Sequence, residues 1–61
     1  MYKIGKLYTI NGCEYTIEKS SRPGGYFNVF VMDGGIFRLV YTGNLAECKQ
    51  HLDDYNKRSR H

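Results

Sequence analysis

Residues 2–19 read YKIGKLYTINGCEYTIEK, and their reading decides the fold. Tyr2, Ile4, Tyr8, Ile10, Cys13, Tyr15 and Ile17 fall on one parity about Asn11-Gly12, and Lys3, Thr9, Glu14, Thr16 and Glu18 on the other. Alternation of this kind is the period of a half-buried strand. Asn-Gly suits the two positive φ angles of a type I′ turn, so the segment is a β-hairpin with a two-residue loop. That loop length sets the register: Ile10 faces Cys13, and Tyr8 faces Tyr15.

Outward from the hairpin, residues 20–25 (SSRPGG) form a loop by composition. Two further strands follow, Tyr26–Met32 and Ile36–Thr42, joined through Asp33-Gly34-Gly35. Gly43-Asn44 then breaks the strand pattern. Asn44 as N-cap with Glu47 three residues on is close to a capping box and starts a helix. Its apolar stripe is Leu45, Cys48, Leu52 and Tyr55, with Glu47, Lys49, Gln50, Asp53 and Asp54 off it. The expected architecture is α+β: a four-stranded antiparallel meander of two hairpins with one C-terminal helix on one face (ββββα). Residues 1–56 form the single domain and residues 57–61 a frayed basic tail.

One helix covers one face of a sheet. With a three-residue Asp33-Gly34-Gly35 loop, Phe27, Val29 and Val31 share a face with Phe37, Leu39 and Tyr41. That face goes under the helix with Tyr8, Ile10, Tyr15 and Ile17. The opposite face then carries Tyr26, Asn28, Phe30, Met32, Ile36, Arg38 and Val40. A two-residue Asp33-Gly34 loop changes the cross-strand pairing but still leaves apolar residues on both faces. A contiguous exposed apolar patch on a small protein marks a partner surface or a dimer interface.

Sixty-one residues and 7.1 kDa allow one domain, which buries only about 60% of its unfolded surface; a deep, dry catalytic cleft is not expected. The apolar content of 41%, including 15% aromatic, excludes a disordered chain. No apolar run is long enough to span a bilayer, and no signal peptide is visible, so a cytoplasmic protein without membrane contact is expected. Of the net charge of +3, none belongs to residues 1–56, where six basic residues meet six acidic ones. The excess is Lys57, Arg58 and Arg60, in the terminal segment.

No cofactor is implied. Cys48 and His51 have the spacing of a thiolate–imidazole pair, and Cys13, Cys48, His51 and His61 could together reach a metal, but no CxxC or HxxxH pair is present. Both cysteines read as small buried hydrophobes. The Gly24-Gly25 and Gly34-Gly35 pairs match neither phosphate-binding loop pattern and lie between strands, as turn glycines do. Asp53 and Asp54, adjacent on a helix, point about 100° apart and cannot form a carboxylate dyad.

From Gly25 to Leu52 the chain reads GYFNVFVMDGGIFRLVYTGNLAECKQHL. Its layout of two strands, a glycine turn, a Thr-Gly-Asn break and a helix resembles the three-strand-plus-helix DNA-binding units of plant AP2-type factors and of phage integrase arm-binding domains. Such a resemblance implies DNA binding through the sheet. In format, a compact neutral body with no catalytic motif and an uncovered sheet face, the chain is similar to the small inhibitors that phages and mobile elements encode, anti-CRISPR proteins among them. The expected function is therefore a non-enzymatic module that occludes a larger protein or protein–nucleic acid complex through Tyr26, Asn28, Phe30, Met32, Ile36, Arg38 and Val40. Tyr, Phe, Met and Arg are the mixture enriched at such interfaces. A homodimer through the same face is compatible with this. The alternative is nucleic-acid binding through Lys3, Arg22, Arg38, Lys57, Arg58 and Arg60.

Overall fold

The computed structural model describes residues 2–58. Four strands, β1 (Leu7–Ile10), β2 (Cys13–Lys19), β3 (Phe27–Asp33) and β4 (Ile36–Gly43), precede one helix, α1 (Leu45–Arg58). The strands pair antiparallel in the order β1-β2-β3-β4, the expected ββββα meander. Both hairpin turns lie at one end of the sheet; the helix starts at the other and runs back toward them.

The first turn forms as its residues require: Asn11 and Gly12 hold φ of 54° and 81°, and Ile10 pairs with Cys13 and Tyr8 with Tyr15. The strand pattern does not reach back to Tyr2. Residues 2–6 precede β1, with Gly5 at φ 79° and its N–H donating to the Ile17 carbonyl at 2.8 Å. The Lys3 N–H donates to the Tyr8 hydroxyl at 2.6 Å, and the Tyr2 ring meets Tyr8 edge-on at 5.0 Å.

At the start of α1 the box closes reciprocally. The Glu47 N–H donates to Asn44 Oδ1 at 2.8 Å, and the Asn44 N–H donates to Glu47 Oε1 at 3.0 Å. The stripe then descends onto the sheet. Cys48 and Leu52 are fully buried against Ile10, Ile17 and Val29, with Leu45 and Tyr55 packed at the edge and Tyr2, Tyr15, Phe27 and Tyr41 around them. Each of Ile17, Val29 and Leu52 stabilises the fold by about 1.5–3 kcal/mol through burial. Tyr55 stacks on Tyr15 at 4.9 Å, so the last turns of α1 cover β2. The helix continues through Lys57 and Arg58, two residues of the segment expected to be a tail; residues 59–61 lie outside those described.

The second hairpin corrects the expected faces of β4. Gly34 and Gly35, at φ 59° and 88°, make a two-residue turn, and Asp33 pairs with Ile36. Both glycines take positive φ without a Cβ clash, which makes the shorter loop available. Beyond the turn, Met32 pairs with Phe37, Val31 with Arg38 and Phe30 with Leu39. Val29 then pairs with Tyr41, so Val40 is an extra residue, a β-bulge that returns Tyr41 to the helix side. Phe37 and Leu39 therefore lie on the outer face rather than in the core, and Ile36 and Arg38 lie on the helix side rather than the outer face.

Cys13 also departs from expectation. It is exposed beside the first turn, whereas Cys48 is buried; both are free thiols.

Candidate functional site

The outer face is built in rows. Leu7, Thr16, Phe30 and Leu39 lie across all four strands, each opposite the next. On one side of this row stand Met32 and Phe37; on the other stand Glu18, Asn28 and Thr42. Phe37 reaches diagonally to Phe30, their rings edge-to-face at 6.5 Å. The Thr42 hydroxyl donates to Asn28 Oδ1 at 2.9 Å, and the Thr16 hydroxyl donates to Glu18 Oε2 at 3.2 Å.

Leu7, Phe37 and Leu39 are 49%, 50% and 57% exposed, while Phe30 and Met32 are half-buried between them. Thr16 is buried although no helix covers it, flanked across the ladder by Leu7 and Phe30 and hydrogen-bonded to Glu18. Here a groove of about 420 Å³ is lined by Gly5, Leu7, Thr16, Glu18, Phe30 and Phe37. Volumes of this order hold a small apolar group.

Of the residues expected to form the contact face, Asn28, Phe30 and Met32 lie on it. Ile36 and Arg38 do not: Ile36 is 64% exposed beyond the helix, and Arg38 donates to Asp33 Oδ2 at 2.8 Å on the helix side. Val40 is the bulge residue, and Tyr26 is exposed just before β3. Leu7, Phe37 and Leu39 take the places of those that leave. The signal for the last two is Gly34-Gly35 as a two-residue turn, which by itself moves every residue between Ile36 and Leu39 to the other face.

The alternative basic set belongs to separate elements. Lys3 precedes β1, and Arg22 lies in the loop after β2, its N–H donating to Ser20 Oγ at 3.1 Å. Arg38 is paired with Asp33, and Lys57 with Asp53 at 3.3 Å. Arg58 closes the helix, and Arg60 lies outside the described residues.

Under the sheet, Cys48 and His51 do not meet as a nucleophile and base. The Cys48 thiol is shared between the carbonyls of Phe27 (3.5 Å) and Gly43 (3.8 Å). Burial pushes that thiol up from its ordinary range, and the nearby Glu47 adds to it against the opposing Gly43 hydrogen bond. His51 stacks on Tyr41 at 4.5 Å and shares a 2.8 Å hydrogen bond between its Nε2 and the Tyr55 hydroxyl. Among the described residues no three His, Cys, Asp or Glu side chains gather to hold a metal ion, and no helix is long and apolar enough to cross a membrane. A second groove, of about 730 Å³, is lined by Tyr2 and Tyr8 and by Ala46, Lys49, Gln50, Asp53 and Asn56 of α1.

No family model matches this chain, and no curated protein or solved structure does.

Proposed function

We propose that this chain is a non-enzymatic protein-binding module that occludes a surface of a larger protein or protein–nucleic acid complex, in the format of the small inhibitors of phages and mobile elements. The carrying observation is the uncovered outer face, where Leu7, Phe37 and Leu39 remain about half exposed around Phe30. Leaving three large apolar side chains in water on one face forgoes stabilisation that a domain of this size could use, and a partner that covers them recovers it. Phe37 and Phe30 supply the rigid aromatic anchors on which binding energy concentrates. The neutral body and the dispersal of its cations speak for a protein rather than a nucleic acid as the main contact.

Because Phe37 and Leu39 are exposed, a Phe37→Ala/Leu39→Ala variant should keep its fold while losing its partner. Tagged wild-type and variant chains are to be compared in pull-downs from the native host's lysate, with and without nuclease. A protein retained by wild type after nuclease treatment and absent from the variant supports the reading. Material lost on nuclease treatment and retained equally by the variant would mean nucleic-acid binding. A wild-type chain that sediments as a dimer, with the variant a monomer and no other protein captured, would mean self-association.

A further inference from the structure

Charge on the outer face selects the occupant. The only basic residues within the four strands are Lys19 and Arg38, and the register puts both on the helix side, Lys19 beside Phe27 and Arg38 beside Val31. The outer face carries Glu14, opposite Thr9, and Glu18, opposite Asn28. Neither carboxylate is in an ion pair with another of the described residues, and Thr16 donates to the Oε2 oxygen of Glu18. Glu18 is itself a wall of the groove beside Leu7, Phe30 and Phe37.

A second copy packed face to face would bring its own Glu14 and Glu18 to the same apolar patch, with no strand cation to meet them. Nucleic acid would bring phosphates to the same carboxylates. Both encounters add like charge around a surface that is being dried, where unpaired charge is most costly. We infer, resting on the protein-binding reading above, that the groove takes a basic amphipathic segment of its partner: an aliphatic or aromatic side chain seated between Leu7, Phe30 and Phe37, and an adjacent lysine or arginine paired with Glu18. Glu18 thereby sets which apolar segments are accepted, and Phe37 sets how tightly they are held.

The test uses the full chain, isotopically labelled for NMR, with two short synthetic peptides sharing one aliphatic–aromatic centre, flanked either by lysines or by glutamates. The lysine-flanked peptide should shift the resonances of Leu7, Thr16, Phe30 and Phe37 and bind about tenfold more tightly than the other, with a preference that shrinks as salt rises. Glu18→Lys should invert the preference and Glu18→Gln abolish it; Glu18 is exposed, so both variants should fold. Equal binding of both peptides that is still lost in Phe37→Ala overturns the charge rule and leaves the docking face standing. Shifts confined to residues off the outer face, or none with either peptide, overturn the assignment of this groove.

Discussion

Leu39 stands across the ladder from Phe30, although Val29, one residue earlier in β3, faces Tyr41. Val40 is thus a residue too many in β4, and it lets one strand serve two surfaces. Tyr41 stays packed against the core and stacks on His51, while Leu39 and Phe37 join the outer face.

Deleting Val40 makes Leu39 and Tyr41 consecutive, opposite Phe30 and Val29, which is a regular ladder. The shortened chain should fold, with stability changed by no more than about 1–2 kcal/mol. Cross-peaks between the Phe30 and Phe37 rings should persist. If the deletion instead brings Arg38 next to Phe30, the bulge does not have this role.

Gly43 is buried where the sheet hands over to the helix, and a Cβ there would stand 2.6 Å from Glu47 Oε1 and 3.0 Å from the Tyr41 ring. Gly43→Ala therefore pushes Glu47 out of the capping box. A loss of about 1–3 kcal/mol is expected in urea unfolding. In an Asn44→Ala background, where the box is already broken, the added cost should be smaller.

The two thiols should differ in reactivity by orders of magnitude. Cys13 is exposed and Cys48 fully buried, with its thiol held protonated by that burial. A disulfide reagent should modify one cysteine per chain rapidly and the second only at the rate of unfolding. Cys13→Ser should remove the fast phase and leave stability within about 0.5 kcal/mol of wild type. Two fast phases would contradict the packing under α1.

Alkaline pH should destabilise the protein. The Cys48 thiol and the Tyr15 and Tyr41 hydroxyls are raised above ordinary values of 9.0, 10.0 and 10.0, in each case chiefly by burial. Near Tyr15 the charges of Cys13 and Tyr55 add to the shift; near Tyr41 those of Glu47 and Cys48 do. The folded chain then holds protons that the unfolded chain has released, so stability is full below the unfolded pKa values and falls as pH climbs through them. The urea midpoint should be flat below about pH 8 and decline steadily above about pH 9. A midpoint that rises with pH in that window would contradict the assignment.

Core and outer face should separate cleanly by mutation. Leu52→Ala removes a fully buried side chain and should cost about 2–5 kcal/mol, a large part of the total for so small a domain. Leu39→Ala, at a position 57% exposed, should cost less than about 1 kcal/mol. Similar losses in the two would mean that the outer face is covered.

What residues decide among near neighbours was readable from the order of amino acids. Asn11-Gly12 specified its turn through local φ preferences, Asn44 and Glu47 their reciprocal cap, and the Leu45, Cys48, Leu52, Tyr55 spacing the buried side of α1. These are contacts within a few positions, and no distant atom can easily overrule them. The outer surface was legible only in part: Phe30 and Met32 follow from alternation within β3, but the partners in β4 do not. Whether Phe37 and Leu39 or Ile36 and Arg38 share that face depends on a one-residue choice at Gly34-Gly35, and both choices leave apolar groups on each side. Tertiary packing made the choice. Tyr41 has to lie under α1, between Val29 and His51, and a two-residue turn meets that demand only with one residue bulged at Val40. Pattern within a strand records which residues alternate, whereas the face they turn to is settled by what the other strands and the helix leave room for.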